Sequence, residues 1–425
     1  MKKTVFAASF AVIVIAVCLI VSFFFMRDGL FGAQNGTYNE VSSNSPSVYF
    51  DYSVSNNSVD KTAYYNYQNL TDTQKNMYDK MYEAVSVMQV GNIELCKGEK
   101  RDIALALYAL KYDNPHLFWI GYEYAVGETA DEKMFIRFDD GKGESKYLFT
   151  HNERVEMMNK LQNEVKNILN ECITDEMSDY EKELAIHDWL CNNVEYDKIA
   201  GESATKDERI NENKSAWTAY GAIVEKSAVC EGYSKAFQLL MYCAGINSNV
   251  VCGETSDGAA HMWNTVLIDG EWYNVDVLWD DVENPQYGAT HSFFNVTTDF
   301  IKKTHTVFSN SDKIKNDDDI FSAEYNLKIP ECNSDKMNFY VVNNTLIKSD
   351  EEYKSVVENA LKTASINGVD TVEFFYDYKE INENIVSYDI KTNGVFSIAK
   401  KYYKDIKGVR CEANSHGSFK INISR

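Results

Sequence analysis

Apolar positions recur at helical spacing in some stretches and alternate in others, a pattern that predicts an α+β protein. Thr71-Asp72-Thr73-Gln74 is a capping-box pattern opening a helix whose apolar stripe runs through Met77, Met81, Val85 and Met88. A second helix near 99–112 stops before Asn114-Pro115, since the residue ahead of a proline is pushed out of helical backbone. Strand-like runs follow at His116–Val126 and Lys133–Phe138. A helix over about 151–172 leads to Ser178-Asp179-Tyr180-Glu181, another capping box, and a helix reaching about Asn193. From Cys230 to Ala244 a helix has Tyr233, Phe237, Leu240, Met241 and Ala244 on one face, with Gly245 closing it. Two alternating runs, 261–268 and 271–279, are joined by Asp269-Gly270, a strong hairpin signal. Beyond about 330, a strand at Asn338–Val342, a helix over Asp350–Ala364 and further strands predict a small separate α+β unit.

One run differs in kind. Residues 4–26 hold no charge and are almost wholly apolar, and about 20 such residues span a bilayer as a helix. Lys2 and Lys3 precede the run, so its start is expected to stay in the cytoplasm and the body to be exported. The alternative is secretion after signal cleavage, for which the apolar run is long and the flanking residues poorly suited. The Ser/Asn/Gly-rich stretch 28–60 reads as a flexible stalk.

Charge narrows the partners. The chain of 425 residues carries 64 acidic against 42 basic side chains, a formal net charge of −22. Such a surface repels phosphate backbones and anionic lipid, so no nucleic-acid partner is expected and any membrane contact belongs to the N-terminal helix. Beyond Cys18 there are eight scattered cysteines with no CxxC pair, so no zinc-ribbon site is read and mostly free thiols are expected. No cofactor is called for.

The hairpin carries the chemistry. A two-residue Asp269-Gly270 loop pairs Ile268 with Glu271, Trp263 with Asp276 and His261 with Leu278, so His261 and Asp276 become diagonal neighbours on one face. Met262, Val266, Ile268, Tyr273, Val275, Val277 and Trp279 fall on the other, a core face. Trp263 and Trp272 share the His261 face and are candidate walls of a substrate cleft. Cys230 stands at a predicted helix start, where unsatisfied N–H groups and the helix dipole favour an anion. Cys230, His261 and Asp276 thus supply nucleophile, base and orienter for acyl transfer. Glu231, if it pointed inward, would oppose a neighbouring thiolate.

These segments are familiar. Val229-Cys230-Glu231-Gly232-Tyr233-Ser234, His261-Met262-Trp263-Asn264 and Gly270-Glu271-Trp272-Tyr273-Asn274-Val275-Asp276 resemble the transglutaminase-like superfamily, its bacterial and kyphoscoliosis-peptidase-like members in particular. Ile186-His187-Asp188-Trp189-Leu190, Val194-Glu195-Tyr196-Asp197 and Thr218-Ala219-Tyr220-Gly221-Ala222 extend the likeness, which spans about 184–281. The resemblance implies a papain-like α+β core, helices packed on an antiparallel sheet, with Cys230 as nucleophile, His261 as base and Asp276 as its partner. Taken with the patterning of the rest of the chain, this gives a transglutaminase-like catalytic domain at about 151–320, flanked by smaller α+β units at 61–150 and 321–425, behind an anchor at 1–27 and the stalk. Papain-type enzymes place a Gln six residues before the thiol; here that residue is Val224. The side-chain oxyanion donor is therefore open, with Tyr220 and Trp217 as weak candidates.

The expected function is cysteine-dependent acyl transfer on amide bonds of proteins or peptides, hydrolysis ahead of crosslinking. The alternative is a catalytically silent surface binding or assembly module keeping the fold. His187 and Asp188 are expected to point to different faces of their helix and to cap or pack. Asp280-Asp281 with Glu283, and Asp317-Asp318-Asp319, read as solvated turns; His291, His305 and His416 carry no signal. Gly253–Ala260 reads as a mobile cleft edge or an ordinary loop. No metal ligand set is read, since no HxxxH spacing occurs.

Overall fold

The computed structural model describes residues 50, 60–203, 213–281, 288–308, 327–376, 394–413 and 416–425. The apolar run at 4–26, nearly all of the stalk, Glu283 and Asp317–Asp319 lie outside the described residues. Among the described residues no helix is long and apolar enough to cross a membrane.

Local signals place the first helices. In α1 (Asp72–Ser86) the Thr71 hydroxyl accepts from the Gln74 N–H while the Gln74 side chain accepts from the Thr71 N–H, the reciprocal cap read from the sequence. After β1 (Ile93–Glu94), α2 (Lys100–Asp113) ends ahead of Pro115. The run His116–Val126 is not a strand throughout: its first half forms turns, and β2 (Ala125–Glu128) pairs with β3 (Met134–Arg137). Helix α3 (His151–Cys172) then leads to α4 (Asp179–Asn193), opened by the Ser178/Glu181 box.

The second half carries the site. The short parallel pair β4 (Glu195–Tyr196) and β5 (Ser227–Ala228) precedes α5 (Cys230–Cys243). Every residue of α5 after Cys230 is buried, so it is a central helix rather than a surface one. Strands β6 (Ser248–Thr255), β7 (Ala260–Ile268) and β8 (Glu271–Val275) follow, with β9 (His305–Val307) completing an antiparallel sheet in the order β8-β7-β6-β9. The β7/β8 register pairs Ile268 with Glu271 and Asn264 with Val275, as the two-residue loop requires. Asp269 and Gly270 both have positive φ, 49° and 80°, the backbone of a type I′ turn.

Where β8 was expected to run to Trp279 it ends at Val275, because the Asp276 side chain caps a short helix, α6 (Val277–Asp280), instead. The stretch after Asn338 departs from expectation in the same way and forms α8 (Phe339–Val342), beyond α7 (Thr298–Ile301). Gly253–Ala260 is the end of β6 and a turn in which the Thr255 N–H donates to the Ala259 carbonyl.

One contiguous apolar cluster runs from Phe50 and α1 through α5 to Phe294. A second fills the space between α9 (Asp350–Ile366), α10 (Gly394–Tyr402) and a C-terminal sheet. That sheet has the order β10-β11-β13-β12, from Leu346–Ile347, Thr371–Tyr376, Ser418–Ser424 and Gly408–Ala413 respectively.

Candidate active site

Cys230 is the first residue of α5, half-buried, with Val229 as N-cap and no side chain capping the turn. The first-turn N–H groups and the helix dipole therefore favour negative charge at the sulfur's position. Gly232 lets this turn press against the chain at 216–218: a Cβ there would lie 2.4 Å from the Ala216 carbonyl oxygen and 3.1 Å from that of Thr218. The Asn264 side-chain amide, from β7, donates to the Ser234 carbonyl at 3.0 Å and locks helix to sheet. Gly232→Ala is expected to destabilise the chain by about 1–3 kcal/mol through overpacking against backbone that cannot retreat, read by denaturant unfolding.

His261 and Asp276 meet as the hairpin predicts. His261 Nε2 lies 2.6 Å from Asp276 Oδ2. That leaves Nδ1 for sulfur, and the Cys230 thiol lies within hydrogen-bonding and charge range of the ring. Asp276 Oδ1 accepts from the Trp279 N–H at 3.1 Å, and Oδ2 also takes the His305 Nε2 at 3.0 Å. Burial alone would push His261 down and Asp276 up. The opposed charges outweigh it, raising the imidazole to about 10 and holding the carboxyl below its ordinary range.

His305, silent in the sequence, is thus part of the cluster. It is fully buried, its Nδ1 2.8 Å from the Thr304 hydroxyl, which can donate to it and leave Nε2–H for Asp276. Trp279 and Trp263 both contact the two imidazoles: Trp279 is tilted, with centroids 5.8 Å from His261 and 4.3 Å from His305, and Trp263 stacks on His261 at 6.3 Å. Trp263 is buried beside His305, its indole N–H donating to Asn274 Oδ1 at 3.1 Å. It packs with Phe293, Val296 and Ile301, so the His261 face of the ribbon is also covered rather than an open cleft wall. Trp272 stands at the far end of the hairpin, edge-on to Tyr65 at 5.3 Å, and does not wall the site.

Glu231 turns away from the thiol. Its carboxylate takes Lys235 at 2.6 Å and the Tyr122 hydroxyl at 2.7 Å, which with Lys111 overcome the penalty of burial and keep it ionised. Tyr220 packs on Phe118 at 5.6 Å, its hydroxyl in the field of Lys160, Glu225 and Glu156 rather than of Cys230. Trp217 lines a small depression with Lys111, Tyr122 and Lys235. The phenol in the field of the Cys230 sulfur is Tyr196, 38% exposed and kept protonated by burial and by that sulfur. It belongs to the Val194–Asp197 segment, whose spacing gives no hint that it approaches the helix start.

A second polar cluster lies outside this one. His187 Nδ1 and His291 Nε2 each lie 3.0 Å from Asp188 Oδ1, so His187 and Asp188 do not point apart as expected; His291 draws them together. Asp280 is no solvated turn: it is fully buried, accepts from the Phe293 N–H and the Thr290 hydroxyl, and meets His187. Asp281 accepts from the Tyr233 hydroxyl at 2.6 Å. His416 stacks on Trp279 at 4.9 Å.

Residues 166–277 match the family model described as the transglutaminase-like superfamily. Kyphoscoliosis peptidase of Mus musculus is 28% identical over 130 residues, 27% of this chain and 18% of that protein. Its Homo sapiens counterpart is 26% identical over 123 residues, 26% and 17% respectively. The chain thus spans less than a fifth of the length of these curated relatives. A solved structure titled as a TGase aligns at 15% identity with a TM-score of 0.27, over 38% of this chain and 45% of that one, too slight a likeness to weigh on function. Residues 166–277 are thus a transglutaminase-like domain within this chain.

Proposed function

We propose that the protein is a cysteine-dependent acyl-transfer enzyme acting on amide bonds of proteins or peptides, with Cys230 as nucleophile, His261 as acid and base, and Asp276 as orienter. What carries the reading is one contact chain: a half-exposed thiol at a helix start, an imidazole beside it, and a carboxylate fixed by a backbone cap and by His305. Cys230 thiolate attacks the substrate carbonyl carbon and the C=O electrons move to oxygen. First-turn N–H groups and the Tyr196 hydroxyl are the nearby donors for that oxyanion. As the C–N bond breaks, the His261 imidazolium gives its proton to the departing amine, leaving a thioester and a neutral ring. Water then attacks the thioester while His261 takes its proton, and the sulfur leaves as thiolate with a carboxylic acid as product. A lysine amine in place of water would instead give a crosslink. The transglutaminase-like domain at 166–277 supports the reaction class, and hydrolysis is the outcome we favour.

We further propose that residues 4–26 anchor the chain so that this body faces outward. An electrophilic peptide probe that cannot cross membranes tests both parts. On intact cells it is expected to label the wild type, sedimenting with membranes, and not Cys230→Ala. Labelling only after lysis would overturn the location alone. Equal labelling of wild type and Cys230→Ala in lysate would overturn the enzyme and leave a silent binding module.

A further inference from the structure

The His187–Asp188–His291 cluster plays no part in that chemistry and lies 103 residues apart in sequence at its longest link. Its inner atoms are His187 Nδ1, Asp188 Oδ1 and His291 Nε2, the two nitrogens each 3.0 Å from the oxygen and all three within 4.8 Å of one another. Donors held about 2.0–2.2 Å from one metal ion at tetrahedral or octahedral angles are spaced by roughly 3–3.5 Å.

The outer nitrogens are the sharper observation. His187 Nε2 meets Asp280 Oδ2 at 3.3 Å and His291 Nδ1 meets Glu373 Oε2 at 2.8 Å. Both carboxylates are themselves held. Asp280 accepts from the Phe293 N–H and Thr290 hydroxyl, and Glu373 from the Tyr340 hydroxyl and His291 N–H. Imidazoles that bind metal characteristically donate their second N–H to a fixed carboxylate, which orients the ring and leaves the inner nitrogen as a lone pair. Here a ring donating outward turns its other nitrogen toward Asp188 Oδ1, so that as a neutral imidazole each histidine sets acceptor against acceptor, unless it takes a second proton, which against burial the neighbouring carboxylates favour in both. A cation among the three inner atoms removes both conflicts. The other His–Asp–His cluster lacks this pattern: both Nε2 atoms face Asp276, and the remaining nitrogens meet a thiol and a hydroxyl.

We propose that His187, Asp188 and His291 bind a divalent transition-metal ion, with Asp280 and Glu373 orienting the two rings. The two nitrogens and one carboxylate oxygen suit Zn²⁺ and its neighbours rather than Ca²⁺ or Mg²⁺. The imidazoles are buried while the Asp188 side chain is 39% exposed, so water reaches the site from that side and completes the coordination shell. Glu373 stands on β11 of the C-terminal sheet and the ligands on α4 and the 288–296 segment, so the ion also ties that sheet to the superfamily domain.

The experiment uses the full chain carrying Cys230→Ala, so that the Cys230–His261 pair cannot hold the ion. After chelation, loading with Zn²⁺ and desalting, one equivalent per chain is expected to remain. Co²⁺ in its place should give visible bands without thiolate charge transfer. Adding His291→Ala should abolish retention, and the shape-preserving Asp188→Asn or Glu373→Gln should weaken binding about 10–100-fold. No retained metal in the Cys230→Ala chain would overturn the proposal and leave two imidazolium rings paired with carboxylates. So would retention that Asp188→Asn and Glu373→Gln leave unchanged.

Discussion

His261→Ala is expected to lower the rate of amide cleavage by about six orders of magnitude, with the fold intact by circular dichroism. The ring stands between the other two groups. Without it the sulfur loses the acceptor for its proton, the departing amine loses its acid, and the Asp276 side chain is left with the Trp279 N–H and His305 among the described residues. Because the three act as one unit, Cys230→Ala combined with His261→Ala should be no slower than either alone. Single-turnover kinetics on a peptide amide would show this. A rate for His261→Ala within tenfold of wild type would mean that this ring moves no proton in the reaction. The variant retains Gly232 and Asn264, which seat the helix start, so such a result is not confused with a displaced thiol.

The parts of this site set by neighbouring residues were legible in advance. Capping boxes at Thr71 and Ser178, the Asp269-Gly270 turn and its register each depend on residues within a few positions, and each formed as the local chemistry requires. Two of the misread strands share one cause. Asp276 and Asn338 each precede a short unbroken apolar run, and each side chain bonds the backbone two or three residues on and turns the chain into a helix. At 276 that departure matters, since the cap bond on Oδ1 helps fix the carboxylate that His261 uses. His305 and His291 were invisible for another reason. Their partners Asp276, Asp188 and Glu373 lie 29, 103 and 82 residues away, and no local spacing encodes such meetings. Tyr196 reaches the thiol's neighbourhood through the β4/β5 pairing, again a tertiary fact.

Asp276→Asn is expected to cost about four orders of magnitude in turnover at neutral pH and to displace the pH profile, which separates orienting from mere structure. In the wild type, burial lowers the affinity of His261 for a proton, while the Asp276 charge and its hydrogen bond raise it further, to about 10. The imidazolium that protonates the leaving amine is therefore present below that value, and activity should decline only as pH rises through it. An asparagine carries no charge, so burial is then opposed only by the Cys230 sulfur and the ring's pKa falls back toward the ordinary value of about 6.5. The alkaline limb should then move to lower pH by more than one unit, with part of the lost rate returning in mild acid. Stability follows the same sign. A raised histidine contributes stability fully present below about 6.5 and lost as pH climbs through about 10, so thermal unfolding of the wild type should weaken across that window. The asparagine variant should show little of that slope. An unchanged alkaline limb in Asp276→Asn, in a chain that unfolds as cooperatively as wild type, would show that this carboxylate does not set the proton affinity of His261.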